Sequence, residues 1–397
     1  MIPVRTALDH ILDLVAPTEV EAVGLGSAAG RILAETLTAP RNQPPYSTSA
    51  MDGYALCESD AQPGCELSVV GEASAGRPYS GHVDPGTAVR IFTGAVMPPG
   101  AWRVVIQEDV DAADQRIVIR NSIETDRNVR PVGGDYRAGF QITPPRLLKP
   151  STLALIASMN IASVPVFRRP DVAIIPSGDE LAMPGDSGAK DMMVASSGFG
   201  IAAILEDVGA SCRLLPIARD RVESIEAAFR MAQGADLTVT IGGASEGDYD
   251  LIRPAAKKMG LHQSFYKLAM RPGKPLMAGS INGMPVVGLP GNPVSALVCS
   301  YVFLVPVVRA MLGLGRSEIA RKRAPLAEAA PANGIREHYM RAKFEVLETK
   351  PHLRIFDRQD SSLVSVLEEA DALVIRPPGD PPRAAGDIVE YCDLTDL

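Results

Sequence analysis

Of 397 residues only five are cysteine (Cys57, Cys65, Cys212, Cys299 and Cys392), and no two form a Cys-x-x-Cys pair. An odd count without spacing excludes a disulfide framework, argues against a zinc site, and points to a reducing compartment. The N-terminus lacks the basic start and apolar centre of a secretory signal, so a cytoplasmic protein is expected. Long basic runs are missing too, and with a net charge of −8 no cationic face is available for nucleic acid. Long apolar runs are scarce. The one worth testing against a membrane, 294–308, is shorter than about 20 residues, carries Ser295, Ser300 and Pro306, and ends at Arg309; it reads as a buried helix, with no membrane partner. The five histidines (His10, His82, His262, His338 and His352) lie outside the glycine-rich and acidic loops, and no Ser-His-Asp or Cys-His arrangement stands out. Covalent catalysis is therefore not expected.

What is present is an ordinary globular composition, 46% hydrophobic and 22% charged. At about 150 residues per domain the length suggests two or three domains. The most informative stretch runs from Leu237 to Ser295. An apolar strand, 237–241, breaks into Gly242-Gly243-Ala244-Ser245-Glu246-Gly247-Asp248-Tyr249-Asp250 before a helix, so backbone N–H groups converge where an anion can be held. A second strand, 285–289, breaks into Pro290-Gly291-Asn292-Pro293-Val294-Ser295 and enters an apolar helix, while Arg271-Pro272-Gly273-Lys274-Pro275 places two cations between them. Either turn alone reads first as a tight connection. Both turns with the cations describe a pocket for a phosphate-rich ligand. The first turn has neither Rossmann spacing nor the Gly-Lys-Ser/Thr of a Walker loop.

Residues 1 to about 25 have a helical pattern. Short runs at 66–70, 88–92, 103–107 and 116–120, separated by Gly and Pro, predict a small all-β insertion reaching about residue 140. From Asp171 to about Leu314, strands and helices alternate in the rhythm of a mostly parallel α/β sheet, whose sites belong at the carboxyl ends of strands. Two further loops sit at such ends, Ser177-Gly178-Asp179-Glu180 and the one carrying Asp220. The region from 322 to 397 is again β-like. Acids at loop positions are Asp52, Asp135, Asp179, Glu180, Asp220, Asp248 and Asp250. Each alone reads as a solvated surface acid. Beside phosphate-binding turns such carboxylates hold Mg²⁺, which favours metal-assisted attack on a phosphate linkage.

The segments Ser49-Ala-Met-Asp-Gly-Tyr-Ala55, Arg90-Ile-Phe-Thr-Gly-Ala95, Gln107-Glu-Asp109, Ser177-Gly-Asp-Glu-Leu181, Gly242-Gly-Ala-Ser245, Gly247-Asp-Tyr-Asp250, Arg271-Pro-Gly-Lys-Pro275 and Gly288-Leu-Pro-Gly-Asn-Pro-Val-Ser295 occur in this order. In that order and over nearly the whole chain, the sequence resembles the molybdopterin molybdenumtransferase family, the MoeA-like proteins and the gephyrin E domain.

The resemblance implies a multidomain α/β plus β fold. Its parts would be an N-terminal helix (1–25) packing on the α/β domain, a linker domain (26–45 and 141–170), an inserted β domain (46–140), a mostly parallel molybdopterin-binding α/β domain (171–317) and a C-terminal β-barrel-like domain (322–397), assembled as an L-shaped homodimer. It implies a transferase of molybdenum cofactor biosynthesis that inserts molybdate into adenylylated molybdopterin, with Mg²⁺ required and AMP released. Transient contacts with the molybdopterin adenylyltransferase and with molybdoenzyme acceptors would follow. The carried-over catalytic group is Asp52, Thr93, Asp135, Glu180, Asp220 and Asp250. Cofactor binding falls to Ser177, Gly178, Asp179, Gly242, Gly243, Ser245, Asp248, Pro290, Gly291, Asn292, Pro293 and Ser295. Molybdate falls to Arg271, Lys274, Pro275, Arg341 and Ser361, and the metal to Asp179, Glu180, Asp248 and Asp250. The chain departs from the family where Ala195-Ser196-Ser197 replaces Asp-Ser-Asn, and at Glu246, Ser177 and Asp371, which replace Val, Thr and Asn. A second reading stays open: a divergent member that binds a pterin or nucleotide without catalysis, or a gephyrin-like scaffold.

Overall fold

In the computed structural model, residues 1–121, 125–186, 191–242 and 252–395 are described. The helical pattern of the first 25 residues holds only over Val4–Leu12, whose Val4, Ala7, Leu8, Ile11 and Leu12 are buried. Val20–Gly24 is instead a strand, antiparallel to Ser163–Phe167. Pairing with a partner far along the chain overrode local pattern there, and Pro17 separates the two elements. Ile32–Leu33 and Arg146–Leu147 complete that four-stranded sheet, so two chain passages far apart in sequence build one unit.

Between those passages lies the expected β insertion. Its six-stranded sheet has the order Arg103–Ile106, Gly53–Leu56, Thr87–Ile91, Glu66–Ala73, Arg116–Ile119, Val110–Ala113. Downstream, Ser211–Leu214, Asp171–Pro176, Leu237–Ile241 and Met284–Leu289 run parallel, and Met277–Ile281 and Leu261–Tyr266 continue the sheet antiparallel. Arg168 fastens this sheet to the preceding unit through a bidentate ion pair, its Nη1 and Nη2 each 2.8 Å from the Asp236 carboxylate.

The last sheet has the order Met270–Arg271, Glu337–Leu347, Ala372–Arg376, Ile388–Asp393, Lys322–Pro325, with Lys350–Ile355 also on Glu337–Leu347. A bridge between Leu326 and Leu353 brings its two ends together, giving the barrel-like form. Its first strand is contributed by the loop that precedes Lys274, so the two domains share main-chain hydrogen bonds. They also share a core: Leu8 and Ile11, Val302 and Phe303, and Tyr339 and Ile375 belong to one buried cluster.

Helical segments Pro293–Cys299, Ser300–Leu304 and Val305–Met311 are continuous, and the middle one widens to a π turn. Pro306 lacks the N–H for an ordinary turn and its ring crowds the carbonyl four residues back, a clash that the wider turn relieves. Among the described residues this helix is long and apolar enough to cross a membrane by length and composition, but its most apolar stretch is 83% buried inside the protein.

Candidate functional site

Parallel pairing sets the carboxyl ends of Asp171–Pro176, Leu237–Ile241 and Met284–Leu289 side by side. The Ser177 N–H donates to the Ile241 carbonyl at 2.9 Å, and the Gly242 N–H to the Leu289 carbonyl at 3.1 Å. Gly242 has φ +90°, and a Cβ there would stand 2.8 Å from the Ser177 carbonyl oxygen. A Cβ on Gly291 would lie 3.5 Å from the Gly242 Cα. The two glycine turns therefore lie side by side; a side chain at Gly242 would clash with the Ser177 carbonyl, whereas one at Gly291 would meet Gly242 at ordinary contact distance. Gly243, Ser245, Glu246, Asp248 and Asp250 lie outside the described residues.

The second turn leads into Pro293–Cys299, with Asn292 at the cap and Pro293 in the first turn, where a missing N–H costs nothing. Ser295 is buried, and the Val294 N–H donates to the Ser361 carbonyl at 3.1 Å. The loop holding Ser361 is fixed in turn by Arg341. This buried guanidinium donates from Nη1 to the Asp360 carbonyl at 2.9 Å, and the Gln359 side chain bonds the Arg341 backbone at both N–H and carbonyl. Arg341 is thus anchored by the loop as well as facing it, and burial lowers its pKa.

The cationic loop reaches the same helix. Gly273, at φ +107°, lies so close to Cys299 that a Cβ would stand 2.5 Å from its Sγ. The Lys274 carbonyl accepts from the N–H groups of Leu268 (2.9 Å) and Leu276 (3.2 Å). Arg271 and Lys274 are exposed, Pro275 is half-buried beside them, and neither cation forms an ion pair among the described residues.

Asp179 and Asp220 hold each other: the Asp179 N–H donates to Asp220 Oδ2 at 3.2 Å, and the Asp220 N–H to Asp179 Oδ1 at 3.1 Å. Arg219 Nη1 gathers the carbonyls of Gly178, Asp179 and Leu181, and the Glu180 carboxylate folds over Gly178. Sequence reasoning missed Arg219, although it directly precedes Asp220. Among the described residues no three His, Cys, Asp or Glu side chains form a metal cluster. One oxygen each of Asp179 and Asp220 has no hydrogen bond among these residues, a donor set that suits a hard cation.

On the β insertion, Asp52 Oδ1 accepts from the Thr93 N–H (2.7 Å) and Oγ1 (2.8 Å), and these bonds hold its carboxyl below the usual range. Asp135 is exposed on the turn that leaves the insertion, its N–H on the Gln43 carbonyl. No hydrogen bond or ion pair among the described residues joins Asp52, Thr93 or Asp135 to the α/β turns. Of the departures, Asp371 accepts from the Phe344 N–H at 2.8 Å and Ala195 is buried, so both serve the fold.

One histidine set aside on sequence grounds sits close to the cations. His338 is buried directly opposite Arg271 on one neighbouring strand and Arg376 on the other. Burial, then Arg271, Arg336, Arg341 and Arg376, push its pKa down to about 4.

Fold and site together define a multidomain α/β protein whose glycine turns at Gly242 and Gly291 follow the carboxyl ends of parallel strands, with a barrel-like domain packed against the same sheet. Residues 2–160 match the "MoeA N-terminal region (domain I and II)", 173–310 the "Probable molybdopterin binding domain", and 323–394 the "MoeA C-terminal region (domain IV)". The molybdopterin molybdenumtransferase of Haemophilus influenzae is 36% identical over 300 residues, 75% of this chain and 74% of its own. That of Bacillus subtilis is 30% identical over 95% of this chain and 90% of its own. The MoeA molybdopterin biosynthesis protein of Pyrococcus horikoshii superposes with a TM-score of 0.85 at 28% identity, covering 99% of both chains. The chain belongs to the molybdopterin molybdenumtransferase family, a family of transferases.

Proposed function

We propose that this protein inserts molybdate into adenylylated molybdopterin and releases AMP, with Mg²⁺ required. The observation that carries the reading is the side-by-side placement of the Gly242 and Gly291 turns, with the Lys274 loop clamped onto the helix that follows the second turn. The turns offer backbone donors to the pterin's phosphate, and Arg271 and Lys274, without an ion pair among the described residues, offer cations to an oxyanion. Mg²⁺, when bound, supplies charge neutralisation at the phosphoanhydride; Asp179 and Glu180, with Asp248 and Asp250, would hold it. Asp220 orients Asp179, and the Thr93 bonds keep Asp52 ionised and aimed. Supplying adenylylated molybdopterin, molybdate and Mg²⁺ to the purified protein should release AMP, with dependence on all three. Tight pterin binding without AMP release would instead favour the divergent, non-catalytic reading.

Because no hydrogen bond or ion pair among the described residues links Asp52 and Thr93 to the α/β turns, we infer a homodimer whose sites combine these residues of one subunit with Glu180 and Asp250 of the other, together with that subunit's Lys274 loop. Mixing the Asp52→Asn and Lys274→Ala proteins, at a molybdate concentration too low for Lys274→Ala to turn over by itself, then restores up to about a quarter of wild-type activity, since random exchange leaves one intact site in half the dimers. Mixtures that stay inactive despite verified subunit exchange argue for a site within one chain.

A further inference from the structure

His338 lies in a row across three strands of the C-terminal sheet, Arg271, His338, Arg376, with neighbours in register. Residues so paired project from the same face of a sheet. Arg336, in the bend just before that strand, brings its Nη1 to 3.4 Å from the Met270 carbonyl, next to Arg271. The members of this row differ in how they are satisfied. Arg376 is committed to Asp380 and to the carbonyls of Pro331 (3.0 Å) and Pro381 (2.8 Å). Arg271 is exposed and His338 is only 5% exposed, yet among the described residues neither side chain makes a hydrogen bond or ion pair.

Acids near the row are already engaged. Glu337 accepts from Tyr339 Oη at 2.8 Å and faces Arg321, and Asp380 is shared by Arg376 and Arg383. Arg341 adds positive charge from the opposite face of the strand. The groups facing His338 are thus net cationic, a field that disfavours an imidazolium until an anion offsets it.

We propose that His338 is a specificity-determining residue of the oxyanion site: its imidazole donates a hydrogen bond to the tetrahedral dianion held by Arg271 and takes up a solvent proton as that dianion arrives. The inference rests on the reading that Arg271 and Lys274 hold an oxyanion. A dianion beside the ring reverses the local field, so the depressed imidazole pKa rises on binding, and by linkage the anion binds more tightly as pH falls.

Calorimetric titration of the full-length protein with sodium molybdate, in two buffers of different ionisation enthalpy near pH 6, measures the proton directly. The expected result is uptake of roughly half to one proton per anion, with affinity rising about tenfold from pH 7.5 to pH 5.5. In His338→Gln, whose amide still donates but does not titrate, uptake and pH dependence disappear while affinity at pH 7.5 stays within about threefold. Wild-type binding without proton uptake, or equal uptake in His338→Gln, overturns the assignment and leaves the oxyanion site standing. Absence of molybdate binding, or binding indifferent to Lys274→Ala, overturns the oxyanion reading and this inference with it. The wild-type uptake does not depend on how the variant folds.

Discussion

Replacing Asp380 by alanine is expected to destabilise the protein by about 3–5 kcal/mol, the usual consequence of removing one partner from a buried ion pair. Arg376 and Asp380 have side chains only 1% and 4% exposed, and Arg383 approaches the same carboxylate from the rim. Without Asp380 the Arg376 guanidinium keeps two carbonyl partners but no counter-charge. Burial tends to raise the Asp380 pKa, but hydrogen bonds from Arg383 and Arg376 outweigh it, and the carboxyl titrates below the usual range. A carboxyl depressed on folding contributes stability above its unfolded pKa of about 3.9 and loses that contribution as pH falls through the folded value. Urea unfolding should therefore show the largest gap between wild type and Asp380→Ala near neutral pH, and a closing gap on acidification. The double replacement Arg376→Met with Asp380→Leu should recover most of the loss, because two apolar groups leave no charge unpaired. A double variant as unstable as the single one would show that packing at this site, rather than the uncompensated charge, sets the cost.

Lys274→Ala is expected to weaken molybdate binding about ten- to hundredfold, from the loss of about 1.5–3 kcal/mol typical of a charge-assisted donor. The change should leave the loop in place. Its carbonyl at Lys274 is held by two N–H groups, and Gly273 is pressed against Cys299 by backbone geometry. Pterin affinity should change far less, because on the proposed reading the glycine turns hold the pterin through main-chain groups that the substitution does not touch. Equilibrium titrations with each ligand separate the two effects. If Lys274→Ala abolished pterin binding and spared molybdate, the cation would belong to the pterin's phosphate instead.

Local composition determined much of this protein. Glycine and proline at Gly242, Gly291 and Pro293 dictate tight strand-to-helix turns wherever those strands lie, and short runs punctuated by Gly and Pro dictate the β insertion between them. The order of the motifs carried the family as well. Tertiary structure alone decided what those turns touch. Parallel pairing of Leu237–Ile241 with Met284–Leu289 brought two glycines nearly fifty residues apart in sequence side by side. Val20–Gly24 became a strand because Ser163–Phe167 pairs with it, although its local pattern continues a helix. His338 carried no signal of function in sequence, since nothing in Arg336-Glu-His-Tyr-Met-Arg341 announces its neighbours. Its position between Arg271 and Arg376 is a product of strand register, and register is set by long-range hydrogen bonding and burial that no local window contains.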